Sequence, residues 1–437
     1  MKLHGTMSIN RHGHLEIGGC DTTYLAKEFG TPLIVYDEAL IRETCRNYYN
    51  SFVKPYPRNL VIYASKAFSS PALYRIINEE NLGCDVVSGG ELYAALSSGF
   101  PPHKIYFHGN NKSPQELTMA LQNRVGVIVV DNFHELELLN SLAASLGVKQ
   151  KILLRITPGI EAHTHAYVQT GQIDSKFGFT LSNGQALSAV KNMDKYPWLD
   201  FKGVHCHIGS QIFETGAFRH AAQVMFDFLV EIRQETGITC EELNLGGGFG
   251  IYYCSGDTPA PIDAYARAIM EVITAAAGRY NYPQPQITIE PGRSIVGTAG
   301  TTLYTVGSIK DIPGVRKYVA VDGGMADNIR PALYQARYEG ALANKMLAAP
   351  EETVTITGKC CESGDMLIWD IQLPRVEPGD VLAISSTGAY TYSMASNYNN
   401  LGRPAVVLVR DGQADLIIER ETYDHILQRH KIPSRLR

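Results

Sequence analysis

A lysine, several carboxylates, two histidines and a run of three glycines stand where short apolar runs of this 437-residue chain stop. The runs are LVIYAS (60–65), CDVV (84–87), KIYF (104–107), VGVIVV (125–130), KILLRI (151–156), FKGVHCH (201–207), ELNL (242–245) and QITIE (286–290). At or beside their ends lie Lys66, Asp85, His108, Asp131, Arg155, His207, Gly246–Gly248 and Glu290. Strands leave a core through polar residues in any fold, so part of this is unremarkable. The residue types are more selective. A lysine beside a buried strand is either a solvated terminus or an amine nucleophile kept reactive by desolvation. LNLGGGFG (243–250) is either a tight turn or a loop whose backbone N–H groups suit an anion such as phosphate. It is not a dinucleotide fingerprint, because its spacing differs and IYYCSGDTPAP after it opens no helix. EPGR (290–293) sets a carboxylate beside a guanidinium, as a salt-bridged surface loop or as a pair of ligand contacts.

Three H-x-H pairs occur, His12/His14, His163/His165 and His205/His207. On a strand such pairs share a face. None has a third ligand at suitable spacing, so no metal site is expected. His207, followed by Ile208, Gly209 and Ser210, suits stacking or hydrogen bonding at a strand mouth. The eight cysteines include no C-x-x-C and are too sparse for a disulfide scaffold, so they read as reduced, mostly buried thiols.

Helical stretches such as SPALYRIINEE, ELYAALSSG, SPQELTMALQN, NFHELELLNSLAASLG and GAFRHAAQVMFDFLVEIRQET separate the apolar runs, several opening on a capping Ser, Asp or Asn. Strand then helix, eight times over, predicts an α/β (β/α)8 TIM barrel across residues 37–295, with a doubly wound open sheet as the main rival. After about residue 295 the texture becomes strand-like (TTLYTVGSIK, KYVAVDGG, ETVTITGK, DVLAISS, AVVLVRDG, ADLIIERE), which predicts a β-rich domain over 296–437. HLEIGG and PLIVY, within residues 1–36, read as N-terminal strands joining that domain.

Composition narrows the partners. The chain is 45% hydrophobic and 19% charged, an ordinary globular balance. A net charge of −5 with no Lys/Arg block offers no footprint for nucleic acid or an anionic membrane. No apolar stretch approaches the roughly 18 residues of a membrane span. MKLHGTMSINRHGHL lacks the apolar centre of a secretory signal, so a cytoplasmic location is expected.

Taken together, YASKA (63–67), HCHIGSQ (205–211), GGGFG (246–250), EPGR (290–293), CESGD (361–365) and GAYTYSMASNYN (388–399) resemble the fold-type III pyridoxal phosphate-dependent decarboxylases. The likeness runs from about residue 15 to 420. It implies an alanine-racemase-like barrel followed by a β domain, pyridoxal 5'-phosphate as cofactor and a small amino-acid substrate. Transferred by position, Lys66 would carry the cofactor, His207 would stack on its ring and Glu290 would pair with its ring nitrogen. Ser210, Gly246, Gly247, Gly248, Arg293 and Tyr390 would surround the phosphate, with Asp85, Pro291 and Gly292 also against the cofactor. Arg293, Arg330, Tyr334 and Tyr390 would hold substrate carboxylate, Glu362 its distal amine, and Cys361 would donate a proton. Two departures touch none of these roles: Phe68 after KA, and Lys359 and Cys360 ahead of the thiol.

Within that family, arginines together with an acid suit a distal centre bearing both carboxylate and ammonium. This favours conversion of meso-2,6-diaminopimelate to L-lysine and CO2, the last step of lysine biosynthesis. The alternative is decarboxylation of ornithine, lysine, arginine or carboxynorspermidine. A racemase would place a cation at the ring nitrogen, against EPGR. A cofactor carrier built on the barrel alone would need neither CESGD nor the residues after 295. The resemblance also implies a homodimer in which the Cys361–Glu362 loop completes the neighbour's site, the alternative being a loop folded over its own barrel.

Overall fold

Val, Ile and Leu dominate the eight runs, and β-branched residues pack well on a pleated surface buried on both faces. All eight become parallel strands: β1 (Leu60–Ala64), β2 (Gly83–Val86), β3 (Ile105–Phe107), β4 (Val127–Val130), β5 (Gln150–Thr157), β6 (Leu199–His205), β7 (Glu242–Asn244) and β8 (Gln286–Ile289). The computed structural model describes residues 1–160 and 174–436, so the His163/His165 pair lies outside the described residues. Each strand pairs with the next, and β8 returns to β1 through Thr288↔Leu60 and Ile289↔Val61. That last pairing removes both edges and rules out the open sheet.

Helices follow the strands as their caps direct. Ser70, Ser88, Ser113 and Asn132 each accept from a backbone N–H of the first turn, opening α1 (Pro71–Glu79), α2 (Gly89–Ser97), α3 (Pro114–Gln122) and α4 (Phe133–Leu146). Ser113 and Glu116 close a full capping box. The longer α5 (Thr215–Thr236) and α6 (Ile262–Arg279) follow β6 and β7. Residues Arg42–Ile251 and Thr258–Ile295 make up this unit. No helix among the described residues is long and apolar enough to cross a membrane.

The second unit comprises Met1–Ile41, Tyr252–Asp257 and Val296–Arg437. Its axis is β9 (Gly300–Ile312), which pairs with Leu33–Asp37, with Val381–Ile384 and with Arg316–Val321. Strand Leu33–Asp37 also lies parallel to Ala405–Arg410, so an N-terminal segment is built into a mostly C-terminal sheet. Leu15, Ile17, Leu33, Val35, Leu303, Val407 and Val409 form its core. At one end, Glu352–Thr357 and Met366–Leu373 run antiparallel and flank the loop that holds Cys361 and Glu362.

Inside the barrel, Ile62, Tyr106, Val127, Val129 and Leu153 cluster. Glu242 opens β7 buried, accepting from Tyr106 Oη at 2.9 Å and Thr288 Oγ1 at 2.6 Å. Burial outweighs these bonds and raises its carboxyl to about 6. An unfolded glutamate titrates near 4.3. Between the two values the folded chain binds the proton and the unfolded chain releases it, so stability falls as pH rises through the window, by about 2 kcal/mol. Glu242→Gln keeps the acceptor and removes the titration. Melting curves from pH 4 to 7 should show this component in the wild type and lack it in the variant; parallel curves would mean that Glu242 is not the group responsible.

Candidate active site

Four strand ends meet at one carboxylate. Glu290 directly follows β8 and is buried. Its Oε1 accepts from His108 Nε2 at 2.8 Å, just past β3, and from Asn244 Nδ2 at 2.8 Å, the last residue of β7. Its Oε2 accepts from His205 Nε2 at 3.2 Å, the last residue of β6. Although burial opposes the charge, the two histidines hold this carboxyl well below the usual carboxylate range. His108 and His205 are themselves lowered, chiefly by burial, His205 to about 4. The three residues have the closeness of a metal site, within 4.8 Å of one another. Their contacts are hydrogen bonds already, and a cation would have to break them.

On β1's side, Lys66 is exposed in a short turn, Ser65–Ala67, between buried neighbours. Ser65 holds that turn twice. Its N–H donates to Asp85 at 3.2 Å and its hydroxyl to Glu91 at 2.9 Å. Glu91 also accepts from Val87 N at 2.8 Å. Asp85 lies within β2 rather than at its end, and is buried. Burial and then the Glu290 charge push its carboxyl well above normal, with Lys66 opposing. The lysine amine thus stands in the field of buried Asp85 and half-buried Glu91.

The glycine loop and the histidine after β6 order each other. Gly247 N donates to His207 Nδ1 at 3.2 Å, and Gly246 N to Asn244 Oδ1 at 2.9 Å. A side chain at Gly247 would bring a Cβ within 2.2 Å of Glu290 O, so the backbone approach itself demands glycine. Beyond the loop, Ile212 N donates to Gly248 O at 2.9 Å and thereby fixes Ser210 and Gln211 beside the glycines. Arg293 Nη2 reaches Ser210 Oγ at 2.9 Å, from the turn after Pro291 and Gly292. A guanidinium, a hydroxyl and a glycine-rich backbone make a cradle for an anion.

Behind this mouth, Lys112 is buried with three acceptors, Gly109 O and Val129 O at 2.8 Å and Glu135 at 2.6 Å. Asp131 accepts from Gly178 N at 3.0 Å, and Arg155, inside β5, lies 3.8 Å from it.

The remaining sequence-predicted residues belong to the other unit. Arg330 opens the turn Arg330–Tyr334 and is buried between Tyr253 and Tyr338, 4.8 and 5.6 Å from their ring centres. It donates to the Tyr338 hydroxyl, while its Nε has no hydrogen-bond partner. A desolvated cation with an idle donor suits a carboxylate. Tyr334 and Tyr390 are half-buried, Tyr390 at φ 61°. Cys361 and Glu362 are exposed, and Cys361 N donates to Asn399 Oδ1 at 2.7 Å. Asp365 anchors the loop, accepting from Met325 N at 2.7 Å and Cys360 N at 2.8 Å. Asn244, Glu91 and His205 were not singled out as site residues from sequence. The clue for His205 was its H-x-H pair. Because β6 stops at His205, His207 lies past the strand, and the two do not act as one face.

Known proteins arrange themselves around this geometry. Residues 39–297 match the family described as pyridoxal-dependent decarboxylase, pyridoxal binding domain. The chain is 57% identical over 428 residues to diaminopimelate decarboxylase of Bacillus subtilis (strain 168), covering 98% of each. It is 57% identical over 421 residues to the enzyme of that name from Bacillus methanolicus, covering 96% of this chain and 98% of the relative. Among solved structures, diaminopimelate decarboxylase of M. jannaschii in complex with L-lysine superposes with a TM-score of 0.92 at 38% identity, covering 99% of both chains.

Proposed function

The chain belongs to the diaminopimelate decarboxylases, a branch of the pyridoxal-dependent decarboxylases, and we propose that two copies of it share the work at each site. It removes CO2 from meso-2,6-diaminopimelate to leave L-lysine, using pyridoxal 5'-phosphate. Its place of work in this proposal is the cytoplasm.

The barrel residues suit that cofactor on three counts. Lys66 offers an amine at a strand end, where an aldehyde can be anchored. The Arg293–Ser210 pair beside a glycine loop that tolerates no Cβ suits a phosphate. Glu290, the observation that carries the reading, supplies a buried anion where a protonated ring nitrogen needs one. When bound, the cofactor is the sink for the electron pair that departing CO2 leaves at Cα. The protein's own residues orient and neutralise. His207 would lie against the ring, and its own plane is set by the bond that Nδ1 accepts from Gly247. Asp85, Pro291 and Gly292 would wall the ring, and Tyr390 would join the residues around the phosphate.

Which bond breaks depends on how the substrate is oriented, so anchors on its far end would decide which carboxyl is lost. Arg330 and Arg293, with Tyr334 and Tyr390, hold the carboxylate that stays, and Glu362 holds the distal ammonium. Cys361 then delivers a proton to Cα. We place Cys361 and Glu362 of one copy in the site of its partner. Their exposure on a loop pinned at Asn399 and Asp365 supports this, because it presents both side chains outward on a rigid base. A symmetric dimer then forms two composite sites from one interface.

Substrate choice tests the activity. Ornithine, lysine and arginine lack the distal carboxylate and would leave Arg330 buried and unpaired. CO2 release from meso-diaminopimelate should exceed release from these three by at least about a hundredfold in kcat/KM. Preference for ornithine or lysine would contradict the assignment. A mixing experiment tests the sharing. Lys66→Ala and Cys361→Ala are each expected to be nearly inactive. After subunit exchange half the dimers are mixed, each with one intact site, and about a quarter of wild-type activity should return. Verified exchange with no recovery would place Cys361 in its own subunit's site or outside catalysis.

A further inference from the structure

Glu290 faces a difficulty that its pairing with a ring nitrogen does not resolve. Burial drives a carboxyl toward its neutral form, and a neutral carboxyl cannot stabilise a pyridinium. A lysine or arginine partner would keep it ionised, but would also cancel its charge before the cofactor could use it. Among the described residues no lysine or arginine pairs with Glu290; Arg155, which feels the Glu290 charge, faces Asp131 at 3.8 Å.

What holds the carboxylate is three donors: His108 at 2.8 Å, Asn244 at 2.8 Å and His205 at 3.2 Å. An ionised carboxylate only accepts, so both imidazoles present Nε2–H to it. Their remaining nitrogens bear on the charge. His205 Nδ1 is buried and has no hydrogen-bond partner. A protonated ring would bury an unsatisfied N–H on a cation there, whereas a neutral ring leaves only a lone pair. Burial lowers both histidines, His205 to about 4, which favours their neutral forms. The rings sit 4.8 Å apart edge to face, so two cations would repel strongly.

We propose that His108 and His205 are positioning residues which, as neutral donors, keep Glu290 ionised and in place while leaving its whole negative charge for the ring nitrogen of the cofactor. The inference rests on the reading that Glu290 meets that nitrogen. It assigns a purpose to two buried histidines whose Nε2 atoms face Glu290. It also explains why the site has the residue types of a metal centre without needing a cation: the third donor, Asn244, is a poor metal ligand but a good amide donor.

The test separates donor reach from bulk. At each position glutamine can bring an amide N–H near the place of Nε2, whereas asparagine is too short to reach Glu290. Holoenzyme is loaded with pyridoxal phosphate carrying 15N in the ring, whose chemical shift reports protonation of that nitrogen. The glutamine variants should keep the wild-type shift, and kcat within about threefold. The asparagine variants should move the signal toward the unprotonated ring and lower kcat roughly ten- to a hundredfold, with KM little changed. Equal behaviour of the two variants, in shift and in kcat, would overturn the proposal. Glu290→Gln is the control. If it leaves the 15N shift unmoved, the reading of Glu290 itself fails; if it moves the shift and the histidine variants do not, only this inference fails. A second measurement needs no variant. In wild-type holoenzyme labelled with 15N-histidine, His108 and His205 should both appear as neutral Nε2–H tautomers, and finding either one cationic or protonated at Nδ1 alone would also overturn it.

Discussion

Ile289 pairs with Val61, so the last strand of the barrel ends beside the first. This closing contact is the constraint from which the site follows. With all eight strands parallel, every C-terminal end opens on the same rim. Residues as far apart in the chain as His108 and Glu290 can then share a hydrogen bond of 2.8 Å. In an open sheet the two edge strands would lie at opposite sides, and Lys66 would leave its strand far from Glu290. The serine and asparagine caps of α1 to α4 assist, because each turns the chain sharply at the rim into a helix and keeps these loops short.

A rim of this kind gathers charge, and the protein manages it in three different ways. Glu290 is kept ionised by uncharged donors. Lys112 and Glu135 form a buried ion pair at 2.6 Å, backed by two carbonyl acceptors, which holds the turn beyond β3 against α4. Asp85 goes the other way: burial and the neighbouring Glu290 charge push its carboxyl up, beside the Lys66 turn. Removing one member of such a set leaves another buried and unpaired, which is more damaging than losing a surface pair. In the other unit Arg330 is handled by aromatic rings, which lower the cost of desolvating a guanidinium while leaving a donor available.

Much of this could be read along the chain, and the exceptions have physical reasons. The barrel strands are short, mostly apolar runs with capped helices between several of them, a local signal, and all eight are present. Strand Met366–Leu373 is not legible in the sequence because it lies at the edge of its sheet, with Trp369 and Asp370 exposed and two register shifts against its partner. Lys66 and Glu290 stood out because each ends an apolar run. Asn244 did not, since within ELNL it looks like a strand residue, and only the geometry of the ring turns its amide toward Glu290. His205 reads in the sequence only as half of an H-x-H pair. Its task depends on a carboxylate 85 positions away, and no spacing rule spans that distance. The six motifs in order do carry the family, and in the glycine loop the local demand is visible in the close approach at Gly247.

The central claim is that the lysine after β1 anchors the cofactor at the rim that Glu290 and the glycine loop share. Borohydride reduction of the holoenzyme, followed by digestion and mass spectrometry, tests it most directly. The account predicts the added mass of the reduced cofactor on the peptide containing Lys66 and on no other. An unmodified Lys66 peptide, with the label on a different lysine, would contradict it.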